Sequence, residues 1–271
     1  MGLRITNTNA DYSANAIGST DWRIQFGIDV GANAAQKSAL VNLNNQLVAA
    51  GLWSKILVAP FIGSGASQQS MLFDESGRKL TFSGSPVFDA NGFTPTDGGY
   101  ATFPTYFPNG AMSVVSMGVQ NVTAEPNGGS GWMLGILGAN IVAGAARKAY
   151  GESFITFLGK DSNAGFLIKS GAAQINGTGL IQIGRFDKGD GNQYYYSLDG
   201  TTVLDQNGFD AQNPVYAGES ITIGKGQSKD GSNAGHTNAK IGFAYIGSLN
   251  QMEAQTMAGI VSTYMAAIGR Q

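Results

Sequence analysis

The sequence has no cysteine and a single histidine, His236. Without a thiol there is no disulfide, no thiolate zinc site and no cysteine nucleophile. One imidazole cannot build a histidine metal cluster, and it allows at most one Ser-His-Asp triad. Charge is scarce too: 13% of residues are Asp, Glu, Lys or Arg, against about 25% in an average soluble domain. The 16 basic and 18 acidic side chains give a net charge of −2 and a pI near 5.3. No dense Lys/Arg cluster occurs, so nucleic acid is not expected as a partner. No apolar run approaches the roughly 20 residues of a spanning helix, so membrane insertion is not expected either. Met1-Gly2-Leu3-Arg4-Ile5 leads directly into polar Thr/Asn sequence with no secretory apolar block. Together with the missing cysteine, this fits synthesis in a cytoplasm and exposure outside only within an assembled particle.

Glycine is abundant instead, at 40 of 271 residues, about twice the usual share of roughly 7%. Disorder does not follow, because 42% of the chain is hydrophobic, with 14 Phe and 10 Tyr available for a core. These features predict a turn-rich β protein with large, weakly charged surfaces, of a length that one sandwich can fill.

Residues 1–20 are small and polar and read as an arm. Trp22, Ile24, Phe26 and Ile28 alternate, which predicts a docking strand ending the arm at residue 30. A leading helix is expected over 34–51, with Leu40, Leu43, Leu47 and Val48 on one face and Gly51 as its C-terminal cap. The apolar run Trp53 to Val58 follows. From Met71 to Gly247 about ten short apolar runs alternate with Gly/Asn/Asp clusters such as residues 187–192 and Asp199-Gly200. This is the punctuation of antiparallel hairpins, and no βαβ alternation interrupts it. A second helix is expected over 250–269, opened by Asn250 and Glu253 as a capping pair. It would be closed by Gly269, with Met257, Ile260, Val261, Tyr264, Met265 and Ile268 on its apolar face.

Few residues carry chemistry. Glu152 begins a strand-like stretch, but Phe154 and Thr156 occupy the following positions on its face. The carboxylate pair a glycoside hydrolase needs is therefore missing there. His236 lies in a Gly/Ser/Asn loop near Asp230 and Ser232, with no nucleophile-elbow pattern around any serine. Asp187 to Asn192 has oxygen-rich spacing without the terminal glutamate of a calcium loop, and a hairpin turn explains it. Asp161-Ser162-Asn163 reads the same way, so calcium has no supporting ligand set and no cofactor is expected. Aromatics are the remaining candidates: Tyr194, Tyr195 and Tyr196 on one strand, and Trp132 after Gly128-Gly129-Ser130-Gly131. Each can pack in a core or serve as a stacking platform for a sugar. Trp53 carries the same two readings.

The order of several segments resembles a known layout. Leu40–Ile56, Pro86-Val87-Phe88, Gly92-Phe93 and Gly98–Phe103 are followed by Gln193–Val203, Ile221–Gly224 and Ile241–Gly269. This resembles bacteriophage virion proteins that carry a laminin G-like branch of the concanavalin A-like lectin/glucanase jelly rolls. The family's Y-x-D-G hairpin turn maps to Tyr196…Asp199-Gly200 and its x-I-G strand to Ile223-Gly224. Its penultimate strand maps to Ala244–Gly247, and its closing helix to Leu249 with Glu253. Ala10–Gly18 is similar to a segment of phage tail and fibre proteins. The resemblance implies a two-sheet antiparallel jelly roll over 31–271 with two flanking helices, and sugar or protein binding at a loop rim or concave face. Its acidic strand motif is absent here, so no catalytic or calcium residue carries over.

The expectation is thus a non-enzymatic virion surface protein, a lectin-like module binding a host receptor or surface polysaccharide on a tail fibre or tail tip. Its partners would be other virion proteins and further copies of itself. The alternative is a structural decoration, neck or fibre-base protein stabilising the particle. A polysaccharide depolymerase would require the missing pair of carboxylates.

Overall fold

The computed structural model describes residues 21–62, 72–75, 77–96, 99–106, 110–111, 115–123, 131–137, 141–147, 155–160, 166–168, 179–187, 192–198, 206–207, 215–216, 220–226 and 235–270. Three helices occur among them: α1 (Trp22–Asp29), α2 (Ala34–Ala49) and α3 (Gln251–Ala267). The first strands are β1 (Ile56–Pro60), β2 (Thr81–Ser83), β3 (Val87–Asp89), β4 (Gly92–Thr94), β5 (Tyr100–Tyr106), β6 (Gly110–Ala111) and β7 (Val115–Asn121). Then come β8 (Gly131–Leu137), β9 (Ile141–Arg147), β10 (Ile155–Lys160), β11 (Phe166–Ile168), β12 (Gly179–Asp187) and β13 (Asn192–Leu198). The last are β14 (Gln206–Asn207), β15 (Val215–Tyr216), β16 (Ser220–Ile223), β17 (Lys225–Gly226), β18 (Gly235–His236) and β19 (Ile241–Gly247).

Two antiparallel sheets make the sandwich. The first runs β14-β13-β12-β7-β19-β4-β3, with β1 also paired to β19. Strands β1 and β4 share one edge of β19: Phe93 pairs with Ile241, and Ile56–Pro60 pair with Gly247–Phe243. The second sheet runs β11-β10-β9-β8-β16-β5-β2. Between the sheets lies a core that includes Leu57, Phe93, Phe103, Met117, Leu134, Ile181, Ile223 and Ile246. The helices cover the outer face of the first sheet through a second core built on Phe26, Leu40, Leu47, Val58, Phe243, Tyr245, Met257 and Val261. Along β19, Phe243 and Tyr245 face the helices, while Ala244 and Ile246 face the other sheet. Every residue of β1 and β19 is buried, which is why both read as unbroken apolar runs rather than alternating ones.

The segment expected to be a docking strand is helical. Trp22, Phe26 and Val30 recur at i, i+4 and i+8 and pack inward, whereas Ile24 and Ile28 are 36% and 42% exposed on the opposite side. A spacing of two is also half of a spacing of four, so the apolar pattern fits either period. The ends decide it. Asp21 caps the helix by accepting from the Arg23 amide and pairs with the Arg23 guanidinium at 2.6 Å. Gly31, at φ 69°, lets the chain close a Schellman turn, with Ala32 N donating to Gly27 O and Gly31 N to Ile28 O. Helices α2 and α3 end the same way at Gly51 and Gly269, and both start with complete capping boxes, Asn33/Gln36 and Asn250/Glu253. The helix expected over 34–51 therefore forms, although Val48 is 55% exposed and leaves the face assigned to it. Three helices flank the sandwich, not two. Trp53 takes its packing role, 5.5 Å from Trp22 and 5.8 Å from Phe73 between ring centroids. Residues 1–20 lie outside the described residues.

A buried polar cluster fastens α3 to the sheet. Gln182 Nε2 donates to the Tyr245 hydroxyl and to the Ala254 carbonyl, both at 2.8 Å. The carbonyl can only accept, which fixes the orientation of the amide. The Tyr245 hydroxyl also shares a hydrogen bond with Ser116 Oγ at 3.2 Å. The Tyr245 ring lies across its strand partner Gly118, where a Cβ would come within 2.1 Å of Cε1. At the far end of α3, the buried Arg270 donates from Nη1 to Phe61 O at 2.6 Å and from Nη2 to Ala90 O.

Two outcomes follow from this layer. Gly118→Ala is expected to cost about 2 kcal/mol, as overpacking does when the obstructing ring is held on both sides. It should appear as a lower urea midpoint at unchanged m, and an unchanged midpoint would show that the ring is free to move. Burial pushes the Tyr245 hydroxyl up to about 12 and raises that of Tyr264 as well, while an unfolded tyrosine ionises near 10. The folded state holds these protons more tightly, so their stabilisation is complete below about pH 10 and is lost as pH rises from there toward 12. Tyrosinate absorbance followed with circular dichroism should show these two groups ionising only with unfolding.

Candidate functional site

One face of the second sheet is taken by the core, and the described residues of its other face form the candidate site. In β5, Ala101 and Phe103 point into the core, leaving Tyr100 and Thr102 half-buried on the outer face. In β2, Phe82 packs inward, and Thr81 and Ser83 stand outward, paired with Thr102 and Tyr100 respectively. In β16, Ile221 and Ile223 take the core, and Thr222 faces outward between Thr102 and Gly135 of β8. Thr81, Thr102 and Thr222 thus form a hydroxyl row across three strands, continued by a glycine.

A short ribbon crosses this face. After Ile223 the chain turns at Gly224 (φ 86°), whose amide donates to Met133 O at 2.7 Å and whose carbonyl accepts from Thr237 N at 3.2 Å. Strands β17 and β18 then lie against β8 so closely that a Cβ on Gly135 would sit 2.2 Å from Lys225 O. Only a glycine permits that approach. Thr222, fully buried beneath, donates from Oγ1 to the same carbonyl at 2.7 Å. With its backbone fixed, Lys225 reaches across β16 and places Nζ 4.7 Å from the centroid of the Tyr100 ring. The negative face of the ring attracts the ammonium, a contact worth roughly 0.5–1 kcal/mol at exposed sites. The result is a shelf: Lys225 and Tyr100 form its wall, and Ser83, Thr102 and Thr81 its hydroxyl floor.

The aromatics singled out in the sequence are not brought together. Trp132 is on β8, opposite Ala146, in the second sheet. Tyr194, Tyr195 and Tyr196 are on β13 of the first sheet, opposite Arg185, Gly184 and Ile183. Only the backbone of these four is among the described residues. His236 lies opposite Lys225 on β18, and its side chain is likewise undescribed. Asp187 and Asn192 pair at the base of the β12–β13 hairpin, as the turn reading expects. Glu152, Asp161–Asn163, Asp199, Asp230 and Ser232 lie outside the described residues. Among the described residues, no three His, Asp or Glu side chains converge as a metal-binding group, and no helix is long and apolar enough to cross a membrane. Tyr100 and Lys225 escaped the sequence reading, although signals were present. In Tyr100-Ala101-Thr102-Phe103 the small and apolar members alternate with the polar ones, and Lys225 is bracketed by Gly224 and Gly226, a mark of close backbone approach.

No family model matches the sequence, and no curated protein sequence matches it. Among solved structures, the chain is similar to the sialidase of Trypanosoma rangeli, with a TM-score of 0.53 and 12% identity over 84% of this chain and 39% of that one. The native heptameric SAP-like pentraxin of Limulus polyphemus matches at a TM-score of 0.42 and 12% identity, over 75% of this chain and 82% of the pentraxin. The Ruminococcus gnavus IT-sialidase CBM40 bound to alpha2,3 sialyllactose matches at 0.41 and 13%, over 55% and 84%. The sialidase likeness establishes a shared β-sandwich fold, and the chain spans well under half of that enzyme's length. The expectation of a non-enzymatic protein is corrected by this finding. A fold shared with part of a sialidase gives no ground for excluding catalysis.

Gly135→Ala should lift the ribbon from β8 and break the Thr222–Lys225 hydrogen bond. Hydrogen exchange is expected to speed up at residues 224–226 and 237 while protection in β19 stays unchanged. Equal exchange in both proteins would show that the ribbon is not held by this contact.

Proposed function

We propose that the chain is a lectin-like module that binds a saccharide on the outer face of its second sheet, borne on a bacteriophage virion at a tail fibre or tail tip. The observation that carries the binding reading is the half-exposed Tyr100 ring beside an aligned row of hydroxyls. A saccharide offers an apolar C–H face and a rim of hydroxyls, so it needs an aromatic surface next to groups that both donate and accept hydrogen bonds. The virion setting is supported by the order of segments along the chain, from Leu40–Ile56 to the closing Ile241–Gly269. Host surface polysaccharide is the ligand that setting supplies.

A second reading, a decoration or fibre-base protein, is favoured by one feature. Ile24 and Ile28 are exposed together on α1, on the side of the molecule away from the shelf, where a neighbouring virion subunit could cover them.

Glycan-array screening of the whole chain, with Tyr100→Ala as its partner, tests the first reading. Binding by the parent, weakened about tenfold by loss of the Tyr100 ring, is the expected result. No binding by the parent would overturn it. Immunogold electron microscopy of particles carrying the chain separates the settings: a distal fibre position supports attachment, and a place within the tail or capsid wall supports the second reading.

A further inference from the structure

We propose that the saccharide taken on this shelf is acidic, with its carboxylate paired to Lys225. This inference rests on the saccharide-binding reading and deepens it.

Four described cations already have carboxylate partners: Arg23 with Asp21, Lys55 with Glu253, Arg78 with Asp74, and Lys240 with Asp89. Arg270 is spent on the carbonyls of Phe61 and Ala90. Lys225 differs. Among the described residues its ammonium has an aromatic ring as its partner and no carboxylate. A ring attracts a cation without neutralising it, because its quadrupole carries no net charge. It also occupies one side of an ammonium that has three donors to place. Strands β2, β5, β16 and β17 contain no Asp or Glu, so no acidic side chain of those strands competes for the site. Tyr100 is the titratable group of those strands that the ammonium contacts. Lys79 lies exposed just before β2, where Leu80 and Phe82 take the core side, and adds positive charge at the other end of the floor. In a chain of net charge −2, the described residues of this face are positive and hydroxyl-lined.

The carbonyl of Lys225 accepts from Thr222 Oγ1 and lies against Gly135. The lysine is therefore positioned before any ligand arrives, and less ordering has to be offset on binding. A carboxylate on the sugar ring would complete the ammonium's hydrogen bonds while the ring lies over the floor of Ser83, Thr102 and Thr81. A uronic acid and a sialic acid both present that chemistry.

The test is isothermal titration of the whole chain with two matched pairs, a uronic-acid oligosaccharide against its carboxyl-reduced form and a sialylated oligosaccharide against its desialylated form. The expected result is a preference of about tenfold for the acidic member of at least one pair, in line with a charge-assisted hydrogen bond, weakening as salt is raised. Lys225→Met keeps the aliphatic stem and the backbone carbonyl. It should abolish that preference, and Lys225→Arg should restore it. Melting temperature confirms that both variants fold. Equal affinity for acidic and neutral members, or a preference that survives in Lys225→Met, overturns the acidic assignment and leaves saccharide binding standing. Failure of the parent to bind any member, together with a blank array, overturns both.

Discussion

The requirement on which this structure depends is that one strand, β19, is apolar on both faces. Phe243 and Tyr245 must be covered on one side, Ala244 and Ile246 on the other. A sheet with one wet face cannot hold such a strand, so the first sheet needs a second sheet below it and helices above. Both cores grow from that demand. It also explains β1, which borders β19 and is buried throughout, and it gives the three capped helices one surface to share. The Gln182–Tyr245–Ala254 hydrogen bonds add specificity where hydrophobic contact alone would let α3 slide along the sheet. A buried polar group left unpaired costs about 1–3 kcal/mol, and any shifted arrangement would incur that penalty.

With helices on the first sheet, the face left uncovered by helices among the described residues belongs to the second. There the same residue type that opens turns elsewhere serves a different purpose. Gly135 removes a side chain from the sheet surface so that the ribbon can rest its backbone on β8. The position of Lys225 is set by that contact and by Thr222 rather than by its own flexible stem. Cation, ring and hydroxyls then share a surface whose strands carry no acid. The sandwich thus separates its tasks. In the proposed reading, packing and helix docking lie on one side and saccharide presentation on the other.

The parts legible in the sequence are those with redundant local signals. Helices α2 and α3 each announce themselves through an apolar face, an Asn-led capping pair and a terminal glycine, and both form. Strand β16 forms over Ser220–Ile223, and β12 and β13 meet at the expected hairpin. Helix α1 is misread because Trp22, Ile24, Phe26 and Ile28 satisfy two periods at once, and the deciding cap, Asp21, is a single short side chain. Strand β9, Ile-Val-Ala-Gly-Ala-Ala-Arg, lacks the bulky alternation that marks a strand, and its pairing with β8 and β10 comes from the sheet around it. Aromatic density drew attention to Tyr194–Tyr196, whose side chains lie outside the described residues, and the proposed shelf uses Tyr100. Its partner Lys225 is more than a hundred residues away in sequence, and no spacing rule connects them. A site assembled across a sheet is visible only after strand order is known.

The place of β19 in the chain has a consequence for synthesis on the ribosome. The strand that completes the first sheet, between β7 on one side and β1 and β4 on the other, is the last strand of that sheet to be made. Lys55 and Glu253, which pair across the finished molecule, are 198 residues apart. Until residue 247 has left the exit tunnel, β7 and β1 have an unfilled slot between them, and the faces that β19 will cover stay exposed. The growing chain therefore waits with unpaired strand edges, a state open to strand exchange with neighbouring nascent chains. Closure comes late and all at once, when the final strand enters the middle of its sheet and brings α3 down behind it.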